Sequence, residues 1–198
     1  AFGENDVRLL TTLANAMSVA LQNAESFKAE QERVAELAVI NSVQQGLASK
    51  LDMQAIYDLV GDRLRGIFDP QKMFIATLDH TTETIHYQYL FEKGKRLYTN
   101  PSSFNEFTRH QIQIHQLVVI NEDFARRSEQ LGMTLVPGTQ MPKSGVFVPL
   151  VVGDVVRGIV YLANHERERA FSDSDGRLLK TLANSMSVTL ENARLFDE

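Results

Sequence analysis

The residues best equipped for chemistry in this chain are a band of aromatic rings with a few hydroxyls and histidines among them. Phe74, Tyr87, Tyr89, Phe91, Phe104, Phe107 and Phe124 fall within one stretch, His110 lies inside it, and Lys143 and Ser144 follow. Rings wall small-molecule pockets, and a buried tyrosine hydroxyl or histidine then supplies one of the few polar contacts such a pocket needs. Phe74, Tyr87, Tyr89, Phe107, His110, Phe124, Lys143 and Ser144 are therefore the candidate ligand contacts, should the fold bring them to one pocket. The competing reading of the same rings is plain core. Metal chemistry is not expected: His110 and His115 stand five apart, helical ligands of one metal stand three or four apart, and no cysteine or nearby carboxylate completes a site. His80, His86 and His165 read as surface or turn residues. Lys93, Lys95, Arg96, Arg126 and Arg127 could attract a phosphate, but read more simply as solvated loop charges. The chain has no cysteine, which removes disulfides, thiolate metal sites and thiol nucleophiles. With no catalytic carboxylate pair, phosphate loop or Ser-His-Asp order either, an enzyme is not expected.

The elements that must hold these residues can be read from periodicity. "MQAIYDLVGDRLRGIF" predicts a helix with Asp52 as its N-cap. "KMFIATLDH" and "TIHYQYLFEKG" alternate as a strand pair around a turn at residues 80–84. "EKGKRLYTNPSS" reads as a mobile surface loop. "NEFTRHQIQIHQ" predicts a helix, although residues 111–115 also alternate as a strand would. Then come a short strand "LVVIN", a helix "EDFARRSEQLG" and a loop or lid "MTLVPGTQMPK". Two final strands, "SGVFVPLVV" and "VVRGIVYLA", meet at the tight turn Gly153-Asp154. Pro149 cannot donate to a sheet ladder, so it must sit beyond the reach of one neighbour. Hairpins at both ends of the sheet imply antiparallel pairing and an α+β class.

The remaining signal is a repeat. Residues 1–27 align on residues 170–196 with 17 of 27 identical. Both copies carry a helical stripe: Leu10, Leu13, Met17, Leu21 and Ala24 in one, Leu179, Leu182, Met186, Leu190 and Ala193 in the other. The second opens with Ser172-x-x-Asp175, a capping box. One helix repeated at this distance fits tandem domains better than a solenoid. Residues 28–50 continue the helix without proline, with Val34, Leu37, Ile40, Val43 and Leu47 as its stripe. A helix from near residue 4 to residue 50 would run roughly 70 Å, too long for one small domain to cover. A parallel homodimer is expected, with Leu10, Leu13, Met17, Leu37, Ile40, Leu47, Leu182, Met186 and Leu190 at its interface.

"SGVFVPLVVGDVVRGIVYLAN" followed by "FSDSDGRLLKTLANSMSVTLENARLF" resembles the C-terminal half of a GAF domain, and "FTRHQIQIHQ" with "LVVINED" matches that family's preceding helix and strand. The resemblance covers residues 31–198, with residues 1–30 as the last helix of a preceding GAF domain continuing into a connecting helix. It implies a profilin-like sheet of five or six antiparallel strands. Terminal helices would lie on one face, with a small-molecule pocket under helices and loops on the other, and the resemblance implies that the candidate contacts from Phe74 to Ser144 fall at that pocket. It also implies a non-enzymatic sensory module of a multidomain cytoplasmic signalling protein, as found upstream of histidine kinases or nucleotide cyclases, relaying ligand binding through a dimeric helical bundle. The alternatives are a dimerising spacer whose pocket is closed by its own side chains, a protein-binding surface on the lid loops, and a cyclic nucleotide-binding GAF domain. For the last, the family motif is met at Asn164, Phe171 and Asp175 but not at His165 and Gly176, and Phe171 and Asp175 have a simple structural use at the helix start. The cofactor is left unknown. A formal charge of -5 leaves no basic footprint for nucleic acid, and no apolar run reaches the roughly 18 to 20 residues of a membrane span.

Overall fold

The computed structural model describes residues 53–133 and 140–197, and before them only isolated positions between Gly3 and Lys28. The chain divides into two compact units, Ala1–Ala38 and Val39–Glu198. In the first unit Arg8, residues 13–15, Met17, Ser18, Gln22, Glu25 and Lys28 are helical, and Leu13 and Met17 are exposed. Leu10, Leu37, Ile40, Leu47 and Asp52 lie outside the described residues.

In the second unit α1 (Met53–Phe68) leads into the hairpin β1 (Lys72–Asp79) and β2 (Thr84–Glu92), then two short strands, β3 (Lys95–Leu97) and β4 (Ser102–Ser103). Next come α2 (Glu106–Ile114), β5 (Val118–Ile120), α3 (Phe124–Gln130), the hairpin β6 (Ser144–Val152) and β7 (Val155–Asn164), and α4 (Asp173–Asp197). The sheet runs β3-β2-β1-β7-β6-β5, with β4 beside β2, and every pairing is antiparallel. The class is α+β, as expected, with seven strands instead of five or six. The extra ones fall in "EKGKRLYTNPSS", expected to be a mobile loop. Lys93 and Gly94 both take positive φ, turning the chain so that Lys95–Leu97 pairs back along β2. Strands of two or three residues are too short to show a period.

Pro149 pairs only with Ile159 of β7, past the end of β5, whose last partner on β6 is Phe147. Its missing N–H therefore costs no ladder bond. One face of the sheet is covered by α1 and α4. Ile56, Tyr57, Val60 and Leu64 join Leu179, Leu182, Ala183 and Met186 over Met73, Ile75, Val146, Val148, Val160 and Leu162. The capping box forms: Asp175 N–H donates to Ser172 Oγ at 3.2 Å, and Ser172 N–H to Asp175 Oδ2 at 2.8 Å. Leu182 and Met186 are 0% and 2% exposed. This corrects their expected place at a dimer interface, because the stripe of α4 is spent on its own sheet; Leu190 packs partly against the same core.

The pairing of β1 with β2 is interrupted once. Ile75 lies opposite Tyr89 but Ala76 lies opposite Tyr87, so Gln88 is an extra residue, a β-bulge. Its backbone carbonyl accepts from Gln54 Nε2 and from Arg96 Nη2, each at 2.8 Å, and its side-chain Nε2 donates to Thr77 Oγ1 at 2.9 Å. Tyr89 is thereby turned onto α1, where its hydroxyl donates to Asp62 at 2.8 Å and the Arg96 guanidinium lies 3.7 Å from its ring centre. Its ring rests on Gly61, where a Cβ would come within 2.2 Å of it. A glycine mid-helix is unfavourable by about 1 kcal/mol, so helix propensity alone favours alanine there. Overpacking reverses that sign: Gly61→Ala should destabilise the fold by about 1–3 kcal/mol. Urea unfolding of the two proteins measures this, and an equal or higher midpoint for the variant would refute the seat.

Candidate functional site

The other face of the sheet carries a second apolar cluster, in which Ala76, Phe147, Ile159, Tyr161 and Ala163 of the sheet meet Phe107 of α2 and Phe124 of α3. Between sheet and roof lies a cavity of about 600 Å³, within the usual range for small-molecule sites. Its wall is a run of touching rings. Phe74 meets Tyr87 edge-on at 5.3 Å between ring centres and Tyr161 at 5.0 Å; Tyr161 stacks on Phe147 at 4.3 Å, and Phe147 meets Phe107 at 4.5 Å. The roof is anchored from its ends. Asn105 Oδ1 caps α2 by accepting from Thr108 N–H at 2.8 Å, and Arg109 forks onto Glu83 of the β1–β2 turn at 2.6 and 2.7 Å. That hydrogen bond, more than the charge, holds the Glu83 carboxyl below the ordinary carboxylate range.

Polar groups reach the cavity from both sides. The Tyr87 hydroxyl lies 3.1 Å from Ser102 Oγ, and both residues line the space. At the end of the hairpin, Lys72 Nζ and Glu92 Oε2 are 3.3 Å apart on directly paired positions, and both line the cavity. Burial, then the nearby Glu92 charge, raises Tyr161 well above the ordinary tyrosine range, so its hydroxyl stays protonated.

The family model for the GAF domain matches residues 50–191, a span that holds the whole sheet, the cavity and its roof. The chain belongs to the GAF domain family. GAF domains commonly serve as sensory or regulatory modules. Solved structures of the same fold include the phycoerythrobilin-bound GAF domain of a cyanobacterial phytochrome. It is 12% identical, covering 84% of this chain and 100% of that one, with a TM-score of 0.67. Residues 122 to 287 of a methyl-accepting chemotaxis protein are 15% identical, covering 80% and 98%, with a TM-score of 0.64. The free methionine-R-sulfoxide reductase of Neisseria meningitidis, in complex with its substrate, is 16% identical, covering 81% and 90%, with a TM-score of 0.62. No curated protein matches the chain in sequence.

Within this GAF domain, four of the eight expected contact residues come together at the cavity: Phe74, Tyr87, Phe107 and Phe124. Tyr89 does not, because the bulge at Gln88 sends it to the helix face. Ser144 is completely buried, its hydroxyl donating to the Arg167 carbonyl at 2.9 Å. His110 is half-buried on α2 and Lys143 is exposed, and neither lines the cavity. Phe91 joins the helix-face core, whereas Phe104 joins the cluster under the roof. Sequence reasoning missed Phe147, Tyr161, Lys72 and Glu92. The first two lie in β6 and β7, buried on both faces, where no alternation marks the side a residue takes. The ion pair needed the hairpin register to be seen.

Other expected features have local uses. Asn164 Oδ1 accepts from Glu166 and Arg167 N–H at 2.9 and 2.8 Å, while Phe171 is core. Arg126 pairs with Asp123 at 3.0 Å on the surface, and Arg96 is committed to Asp58 and the bulge. His115 closes α2 in the left-handed region. Gln111, one turn beyond Phe107, is completely buried, and neither amide atom has a hydrogen-bond partner among the described residues.

Three tyrosines tie stability to alkaline pH. Burial raises Tyr57 to about 12; burial, then its bond to Asp62, raises Tyr89 to about 12; Tyr161 lies higher still. Unfolded tyrosine titrates near 10, so the folded state holds these protons more tightly. Their contribution is complete below pH 10 and declines above it, the shares of Tyr57 and Tyr89 being lost as pH climbs through 12. Urea midpoints should fall from pH 10 upward, with a shallower fall in Tyr57→Phe. Equal slopes in the two proteins would show that Tyr57 takes no part.

Proposed function

We propose that this GAF domain is a non-enzymatic sensory module that binds a small molecule in the cavity under α2 and α3 and passes the event to the helices on the opposite face. The observation that carries the reading is the aromatic-walled space of about 600 Å³ with polar groups converging on it. A spacer with a pocket closed by its own side chains would have those rings fill the space, and here they line it. What supports the relay is strand alternation. Phe74 faces the cavity, while its neighbours Met73 and Ile75 lie under α1 and α4. A ligand that moves the first must move the others. The methionine sulfoxide reductase shares the fold, but this chain has no cysteine with which to do thiolate chemistry. Cyclic nucleotide binding is the weaker reading, since Asn164 and Asp175 are engaged in turn and cap bonds.

The repeated segment at residues 1–27 is read as the closing helix of a second such domain, and the parent protein as a cytoplasmic signalling protein of several domains. The homodimer reading now rests on Leu13 and Met17, four apart, both helical and both exposed, and on Val188 of α4, which is 62% exposed.

Native mass spectrometry of the purified chain should show a retained small molecule. At a ligand concentration 100 times Kd, stabilisation is about 2.7 kcal/mol, or a Tm rise of roughly 5–10 °C for a domain this size. Leu90→Trp, which fills the cavity from β2, should keep the fold and abolish both signals; a retained ligand in that variant would move the site elsewhere. Light scattering should give a dimer for the unmodified chain and a monomer for Met17→Glu. A monomer in both would remove the dimer.

A further inference from the structure

We infer that the cavity selects an uncharged flat ring compound carrying a hydrogen-bond donor and acceptor side by side on one edge, read by the Lys72–Glu92 pair. The inference deepens the proposed function and rests on the cavity being an open ligand site. Lys72 and Glu92 are the only basic and acidic residues, among those described, that line the cavity, and they form one ion pair. Their side chains are only 19% and 17% exposed, so both are largely removed from water. An anionic ligand at the free donors of Lys72 would set a second negative charge beside Glu92, and like charges sheltered from water repel strongly. One ammonium would then have to balance two carboxylates, leaving negative charge uncompensated in a wall of rings. A cationic ligand meets the mirror-image obstacle at Lys72.

A neutral ligand need not break the pair. An ammonium has three N–H donors and a carboxylate about four acceptor positions, so one contact between them leaves capacity on both. The free donors of Lys72 and free lone pairs of Glu92 lie next to each other, because the two residues are directly paired across the hairpin. An amide or lactam edge presents the complement, a carbonyl beside an N–H. Its bonds would be charge-assisted on both sides, and these are stronger than neutral ones. The flat body of the ligand follows from the neighbours. Phe74 stands two residues along β1 from Lys72, and Tyr161 is the residue paired with Phe74 on β7. Edge and face contacts from this ring wall suit another ring.

Three probes of nearly equal size separate the arguments: 2-naphthamide, its isosteric anion 2-naphthoate, and naphthalene, which lacks the edge. Binding is measured by isothermal titration and ligand-observed NMR on the full chain. The amide should bind at least tenfold tighter than the carboxylate and than naphthalene. In Glu92→Gln, which leaves Lys72 uncompensated, the carboxylate should overtake the amide. The double variant Lys72→Met/Glu92→Leu, with the pair replaced by apolar side chains, should treat amide and naphthalene alike. A carboxylate that matches or beats the amide in the unmodified chain overturns the inference, as does an unchanged order in Glu92→Gln. Naphthalene binding as well as the amide also overturns it, while leaving the open cavity and the sensing reading intact. If none of the three binds, the inference and the open-site reading fail together.

Discussion

The extra residue in β2 is the constraint on which the other features hang. A strand shows alternate side chains to alternate faces, so Tyr87 and Tyr89 would share a side of a regular sheet. With Gln88 inserted, Tyr87 faces the cavity and Tyr89 faces α1. The same step lets Leu90 and Glu92 return to the cavity side, where Glu92 meets Lys72. A bulge leaves backbone groups without ladder partners, and here the freed carbonyl of Gln88 is claimed by Arg96 and Gln54. Arg96 also stacks on Tyr89 and pairs with Asp58, so strand, bulge and helix are fastened at one point.

From that point the two sides of the sheet take different characters. The helix side is closed: α1 and α4 bring aliphatic stripes onto Met73, Ile75, Val160 and Leu162. The roofed side is built from larger, flatter side chains on short elements. Its roof helices are nine and seven residues long, and the cavity lies between them and the sheet. Each strand contributes to both sides in alternation, so the rings of the cavity wall and the aliphatics under the helices share one backbone.

Charge placement follows the same division. Most ion pairs on the described residues lie at the surface, as Arg109–Glu83 and Arg126–Asp123 do, and surface pairs of this kind contribute little each. Lys72–Glu92 is the most sheltered of them, which makes it weak as a stabiliser and informative as a recogniser. Net neutrality of the cavity wall separates this GAF domain, in physical terms, from sites built to hold phosphate or carboxylate.

The sequence by itself determined the family, the α+β class, both hairpins, the capping box at Ser172 and the position of Pro149. Each of these is a local matter: a period, a turn pair, a cap or a missing N–H declares itself within a few residues. The family resemblance, laid over strands and roof helices that could be assigned one at a time, also put Phe74, Tyr87, Phe107 and Phe124 where the cavity lies. Only the tertiary structure decided the rest. A bulge is a property of two strands together, so nothing in "TIHYQYLFEKG" announces that Tyr89 turns away. Phe147 and Tyr161 sit in strands buried on both sides, where burial erases the alternation that would reveal their direction. The stripe of α4 could have served a partner chain or its own sheet, and Leu182 and Met186 went to the sheet because it lay within reach.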